Sequence, residues 1–451
     1  MKNKVKLAVL VGLAASLAAC SAPGAGNTPS QTDTAPGAVV TDAASMGDVT
    51  LTLWDSEVLS GQSAQFTELL EGFQAKYTNI TIDRVAQGFT DMKVTLPMAL
   101  SDENPPDVVQ ANNGRNDMGA FVAAGQLTDL QPYADAYGWI DRYPETVLKN
   151  SMYTADGKTF GEGNLYGLSQ MGELVGIYYN KEKLAALGLE TPATWDDFVS
   201  ALAAAKAAGE TPIMHGDSEG WPAGQLLGLL LGQTAPADQL ITLGMGNPGS
   251  SWNKPDTLAG VTLLDDWIKA GYFNDGVNGL TDEAVATQFA EGTGVFYIAG
   301  SWQVNLLQGI AGDKLGFIAP PSSSAGTVGN TLGGASQPYA IPVKAQHKDA
   351  AALFIDYITS PEAMQVLVDT GNIPVYDAES LVTGDDLLAQ ASTAFGEVTT
   401  QGQLLPYLDW STPTFGEDAM TPRLQDLFAQ KISPQGVIDA FESNYADSAG
   451  A

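Results

Sequence analysis

The spacing of apolar residues changes several times along this 451-residue chain. Residues 49–55, VTLTLWD, alternate apolar and polar and predict a strand ending in Trp54 and Asp55. Phe66, Leu69, Leu70, Phe73 and Tyr77 then recur at the spacing of one buried helix face. Residues 80–82, ITI, predict a second strand. A helix near 92–100 leads to a third strand over 107–110, after the Pro105-Pro106 breaker. This alternation is that of an open, mainly parallel α/β sheet, in which ligands sit outside the carboxyl ends of the strands. Those ends carry Trp54 and Asp55, then Gln110, Asn112 and Asn113, with no nucleophile beside a base.

Further on, residues 165–180, LYGLSQMGELVGIYYN, form a long strand-rich run with polar Gln170 and Glu173 near its middle. Thr194 reads as a helix N-cap followed by acids in the first turn. The leucine-rich run 226–231 is too short to span a bilayer and predicts a core helix. In residues 292–305, GTGVFYIAGSWQVN, a buried strand gives way to a Gly-Ser turn, Trp302 and the start of a helix. An indole at a strand end is either core or a flat apolar plate with one N–H donor, suited to a ligand both oily and hydroxylated. Of the eight tryptophans, Trp54, Trp221, Trp302 and Trp410 fall at strand ends or loops and are ligand candidates. Trp195 and Trp267 lie in helical patterns and are assigned to packing, and Trp139 and Trp252 fit either role.

Composition narrows the partners. The formal charge is −32. Such a surface repels phosphate backbones, which excludes nucleic acid, and leaves neutral or cationic ligands open. Lys2, Lys4 and Lys6 precede thirteen uncharged residues, 7–19, in the manner of a secretory signal; removing residues 1–19 takes away three positive charges and leaves −35. The single cysteine, Cys20, follows directly, so no disulfide is available within the chain. Residues 17–20, LAAC, resemble the bacterial lipobox, which implies acylation of Cys20 and retention on the extracellular face of the cell membrane; the alternative is an ordinary signal and a free thiol. Residues 20–47, rich in Ser, Thr, Ala, Gly and Pro, are expected to be a flexible tether.

YYNKEKL at 178–184, followed by the Gly-Leu-x-x-Pro-x-Thr-Trp-Asp-Asp-Phe segment at 188–198, resembles the bacterial extracellular solute-binding proteins of the maltose-binding type, which feed carbohydrate importers of the ATP-binding-cassette class. PPDVV at 105–109, GQLTDL at 125–130, the stretch 292–302 and the return segment from Gly333-Gly334 to Pro361-Glu362 fall in the same order. The resemblance covers about residues 49–445. It implies an α/β, two-lobed periplasmic-binding-protein-like fold of type II, each lobe an open mixed sheet flanked by helices, with a hinge crossed several times. By analogy the crossings lie near 170–174, 317–321 and 357–361, with lobe 1 formed by 48–171 and 319–360 and lobe 2 by 172–318 and 361–451. It also implies a monomer that captures a carbohydrate, an oligosaccharide in the favoured reading, and hands it to a membrane permease without a cofactor or covalent chemistry. The binding set would be Trp54, Asp55, Gln110, Asn112, Asn113, Glu173, Glu219, Trp221, Trp302, Gly334 and Trp410, with Glu173, Trp221 and Trp302 carried over most directly. Where the family often has an aromatic or Asp after its third strand, this chain has QANNGR at 110–115, which leaves the particular sugar open.

Two other readings remain. The same carboxylates and indoles would also box a cation such as a polyamine. GDSEG at 216–220 matches the G-x-S-x-G nucleophile pattern, so a secreted hydrolase using Ser218 is the rival of another class. Its triad would need a later histidine, and the one available, His347, sits in a solvated stretch. GMGNPG at 244–249 has the letters of a dinucleotide fingerprint, but SSWNKP after it cannot open the helix that motif requires. The adjacent acids at 196–197, 265–266 and 385–386 point apart, unlike glycosidase pairs. No Cys/His cluster or EF-hand spacing supports a metal.

Overall fold

A computed structural model describes residues 39–402 and 404–449. The signal segment and Cys20 lie outside these residues. Folding starts before residue 48, where the tether was expected to end. Asp42 caps a short 3-10 turn, Ala43–Met46, and Asn79 Nδ2 donates to the carbonyls of Ala43 and Gly47 at 2.9 and 2.6 Å. Val39, Ala43 and Met46 thereby pack against a core.

Twelve strands occur among the described residues: β1 Val49–Asp55, β2 Ile80–Ala86, β3 Val108–Gln110, β4 Met152–Tyr153, β5 Asn164–Leu165, β6 Gly172–Asn180, β7 Ile213–Met214, β8 Phe296–Gly300, β9 Leu315–Ile318, β10 Thr331–Ala335, β11 Tyr339–Ala340 and β12 Leu404–Leu405. They form two principal sheets and a small β4–β5 hairpin. The first sheet has the order β11-β3-β1-β2; β1, β2 and β3 are parallel and β11 is antiparallel to β3. Its apolar face takes Leu51 and Leu53 from β1, Phe66, Leu69 and Phe73 from helix Ser60–Lys76, and Phe354 and Ile355 from helix Lys348–Ile358. The helix face expected from the 66–77 spacing is the one that packs here.

The second sheet has the order β12-β10-β6-β8-β7 and is built on β6. This strand is buried along nearly all its length, which explains why it shows no alternation. It pairs antiparallel with β8 on one side, and with β10 and then β9 on the other. Helix Pro222–Thr234, the predicted leucine-rich core helix, is buried beside it, as are Phe289 and Trp267. Trp139 and Trp252, either core or ligand plates from sequence, are both wholly buried.

Two segments show how the chain passes between the sheets. Residues 331–335 pair with β6 and so belong to the second sheet. Ala363, Met364 and Leu367 of helix Pro361–Asp369 pack in the core of the first.

Candidate functional site

Strand direction decides which residues can meet. In the first sheet the carboxyl ends of β1, β2 and β3 lie at one edge, and antiparallel β11 starts there, so residues 336–338 lie at it too. In the second sheet β7 is parallel to β8, both β8 and β10 oppose β6, and β12 follows β10. The carboxyl ends of β7, β8, β10 and β12 therefore share an edge with the amino end of β6. That edge collects the residues after β7 (Glu219, Trp221), after β8 (Trp302), in β10 (Gly334), after β12 (Trp410), and Glu173 from β6.

The two edges are joined directly. Asn113 Nδ2 donates to the carbonyls of Ala335 and Ser336 at 3.3 and 3.4 Å. The Arg115 N–H donates to the Trp410 carbonyl at 2.9 Å.

Trp302 is held by its own strand end. Gly300 is buried, and a methyl group there would fall about 2 Å from the indole ring, so glycine is what lets Trp302 fold back over the strand. The ring is half-buried and stands edge-to-face with half-buried Trp221, centroids 6.2 Å apart. Glu173 lies at the same end of the sheet. The last β6–β8 pair is Val175 with Gly300, and just beyond it Leu174 N–H donates to Ser301 Oγ at 3.3 Å. Glu173 pairs with Gly334 of β10. Burial pushes its carboxyl up to about 7, with the neighbouring Tyr407 hydroxyl pulling partly back. Trp302, Trp221, Glu173 and Gly334 thus come together. Exposed Glu219 is near them, its Oε2 accepting from Ser218 Oγ at 3.1 Å and the Asp282 N–H at 3.3 Å.

The other predicted residues are placed differently. Asp55 is buried in a two-bond ion pair with Arg84, both contacts 2.6 Å. Gln110 accepts from the N–H and hydroxyl of Ser56 and donates to Glu57 and the Gln337 carbonyl, so its amide is already engaged. Asn113 is buried in the contact between the edges. Trp410, a ligand candidate from its position in the sequence, is 3 % exposed. It lies against Phe160 (5.9 Å) and Tyr407 (5.1 Å), its face over Gly114, where φ is +94° and a Cβ would come within 2.7 Å of the ring. Trp54 and Asn112 remain partly accessible. Asn112 Nδ2 donates to Asp117 at 2.8 Å, which leaves the side-chain carbonyl oxygen Oδ1 and the second amide N–H to meet a ligand. With Lys93, Ser56 and Gln337 it lines a cavity of about 10 Å³, the size of one water.

Several members of these edges carried no sequence signal. Glu57, two residues past the strand-end Asp55, is buried; its carboxyl is driven up to about 7 by burial, against a 2.5 Å hydrogen bond from Gln110. Tyr407, Asp117, Asp409 and Lys93 come from turns and a helix whose pairing across the edges only the three-dimensional arrangement reveals.

Helix Ala237–Gly244 ends inside the GMGNPG string, and the next helix starts at Pro255. Ser218 Oγ donates to Glu219 rather than to a histidine. His215 is buried against Phe428, and His347 precedes helix Lys348–Ile358. Among the described residues no cluster of His, Cys, Asp and Glu is arranged to hold a metal.

Residues 58–365 match the family model described as bacterial extracellular solute-binding protein. A multiple sugar-binding protein of Streptococcus mutans is 28% identical over 222 residues, 47% of this chain and 51% of that relative, so the match spans about half its length. An uncharacterised ABC transporter extracellular-binding protein of Pyrococcus horikoshii is 26% identical over 72% of each chain. A solved chitin oligosaccharide binding protein, 22% identical, superposes with a TM-score of 0.75 over 90% of this chain and all of its own. The architecture is that of a type II solute-binding protein: two α/β sheets whose strand ends face each other, with helices around them. The matched segment covers well over half the sequence, and the chain belongs to the bacterial extracellular solute-binding protein family.

Proposed function

We propose that this protein captures a carbohydrate between the two sheet edges and delivers it to the permease of an ABC importer. The supporting observation is the group at the end of the second sheet. Trp302 and Trp221 are half-exposed, their ring planes 64° apart, beside Glu173, a carboxyl with no basic partner. Sugar rings have apolar C–H faces and equatorial hydroxyls, so an indole plate and an adjacent carboxyl match both. Near neutral pH Glu173 is divided between its acid and its carboxylate, and it can donate to or accept from a hydroxyl. Glu219 and the Asn112 carbonyl would supply further contacts, those to a carboxylate worth roughly 1.5–3 kcal/mol each. The names of the Streptococcus relative and the solved chitin oligosaccharide binding protein agree with this ligand class.

Each sheet with its helices would be one lobe. Residues 331–335 then go with the second lobe and 361–367 with the first, which shifts the boundaries expected from sequence. A ligand touching both edges favours the state in which they meet, and this differential affinity drives closure. Acylated Cys20 would keep the protein at the membrane. Replacing Cys20 by Ser should abolish incorporation of labelled fatty acid; persistence of the label would refute the anchor.

The decisive experiment is a melting-temperature screen with mono- and oligosaccharides, followed by titration of the best ligand into Trp302→Ala. A ligand at 100 times its dissociation constant stabilises by about 2.7 kcal/mol. If no sugar in a broad panel shifts melting, or if Trp302→Ala binds as tightly as the parent, this assignment is wrong.

A further inference from the structure

The two edges meet through charge as well as through apolar packing. Lys93 lies on helix Phe89–Ser101, which connects β2 to β3 of the first sheet. Its ammonium reaches across to Glu417, Nζ to Oε1 3.6 Å. Glu417 sits on the single-turn π-helix Phe415–Met420, whose buried Phe415 stacks on Trp252 and meets Phe441 edge-on. Asp409, on the turn just before it, also acts on Lys93, as does Asp117 on Lys93's own side. Partial burial works against the Lys93 charge, yet these three carboxylates outweigh it and hold its pKa above the ordinary lysine value. The same C-terminal stretch is tied to the first edge twice more, by the Arg115 N–H to the Trp410 carbonyl and by the Trp410 ring seated over Gly114.

We propose that Lys93 is an ionic latch that holds the C-terminal segment carrying Asp409 and Glu417 against the first sheet edge, so that ligand affinity depends on it through the population of the closed state. Nothing else joins a basic side chain of the first sheet's helices to this acidic turn among the ion pairs of the described residues. The inference rests on the hinged cleft proposed above, but not on the ligand being a sugar. Apparent affinity scales with the fraction of protein in the binding-competent state, so a latch shifts it without touching ligand. Its strength falls as salt screens the pair, whose Glu417 side chain is 81 % exposed.

The test has an arm without ligand and an arm with one. In ligand-free protein, small-angle scattering at low salt should give a larger radius of gyration for Lys93→Gln and for Glu417→Gln than for the parent. High salt should expand the parent toward the variants and leave them unchanged. In the second arm, the compound giving the largest melting shift is titrated. Lys93→Gln should bind about fivefold more weakly at low salt, the size of an exposed pair at the upper end of its range. The exchanged pair Lys93→Glu with Glu417→Lys should recover much of the loss. Equal radii for parent and both variants, with the same response to salt, would overturn the latch. A panel in which no sugar binds refutes the carbohydrate reading while leaving the scattering arm intact.

Discussion

Trp302 and Trp410 both follow strand ends at the same sheet edge, yet their surroundings separate them. The Trp302 ring lies back on Gly300 with one side half open. The Trp410 ring is enclosed by Phe160, Tyr407 and Gly114. Alanine at Trp302 should therefore weaken ligand binding with little change in melting. Alanine at Trp410 opens a core cavity and should cost about 3–5 kcal/mol of stability, read by denaturant unfolding. Equal effects of the two on stability would refute the distinction. Gly300→Ala tests the plate without deleting it. The added methyl overlaps the ring, so the indole must rotate away at a cost of about 1–3 kcal/mol. A blue- or red-shifted tryptophan emission together with loss of ligand affinity is the expected result.

At the scale of elements, what could be read from the chain followed from local rules. Helix Ser60–Lys76 was visible because Phe66, Leu69 and Phe73 repeat on one face, and β1 because its burial alternates. Thr194 was visible as a cap because capping is a four-residue event. Its Oγ accepts from the Asp197 N–H at 3.1 Å, and the Asp197 carboxylate accepts from the Thr194 N–H at 2.9 Å. Thr194→Ala should lower stability by about 1 kcal/mol with ligand affinity unchanged, and an affinity change would tie this helix to the site. The order of strands in the sheets was not readable in this way. Nothing local in residues 331–335 shows that they pair with Leu174 and Glu173 some 160 residues earlier. Trp54, Trp221 and Trp302 could be named because strand ends and loops are local features, and Glu173 through the family resemblance. Glu57, Lys93 and Tyr407 could not, since their importance lies in contacts with residues far away in the chain. The burial of Asp55 and Gln110 escaped for the same reason: their partners, Arg84 and Glu57, are set by sheet register.

For the molecule as a whole, the excess of acid has a consequence that reaches inside. Glu57, Glu173 and Asp217 have carboxyl pKa values raised to about 7, and Asp282 and Asp409 to about 6, in each case chiefly by burial. Only part of this chain's negative charge is thus spread over solvent; some sits where ionisation is costly. A group whose folded pKa exceeds its unfolded value binds its proton more tightly when folded. Its stabilising contribution is complete below the unfolded pKa, about 4.5 for Glu, and is lost as pH rises through the folded pKa. Stability should accordingly fall between about pH 4.5 and pH 7.5, opposite in sign to a protein whose acids are held by salt bridges. Glu57 is the cleanest probe, being 2 % exposed with its Oε2 unpaired. The shift to about 7 corresponds to roughly 3 kcal/mol across that window. Glu57→Gln cannot ionise and keeps an acceptor for Gln110, so it should be as stable as the parent near pH 4.5, more stable near pH 7.5, and less steep between. Urea unfolding at closely spaced pH values measures this directly. Parallel curves for parent and variant would mean that Glu57 is already ionised in the folded protein, and that its surroundings are far wetter than their packing indicates.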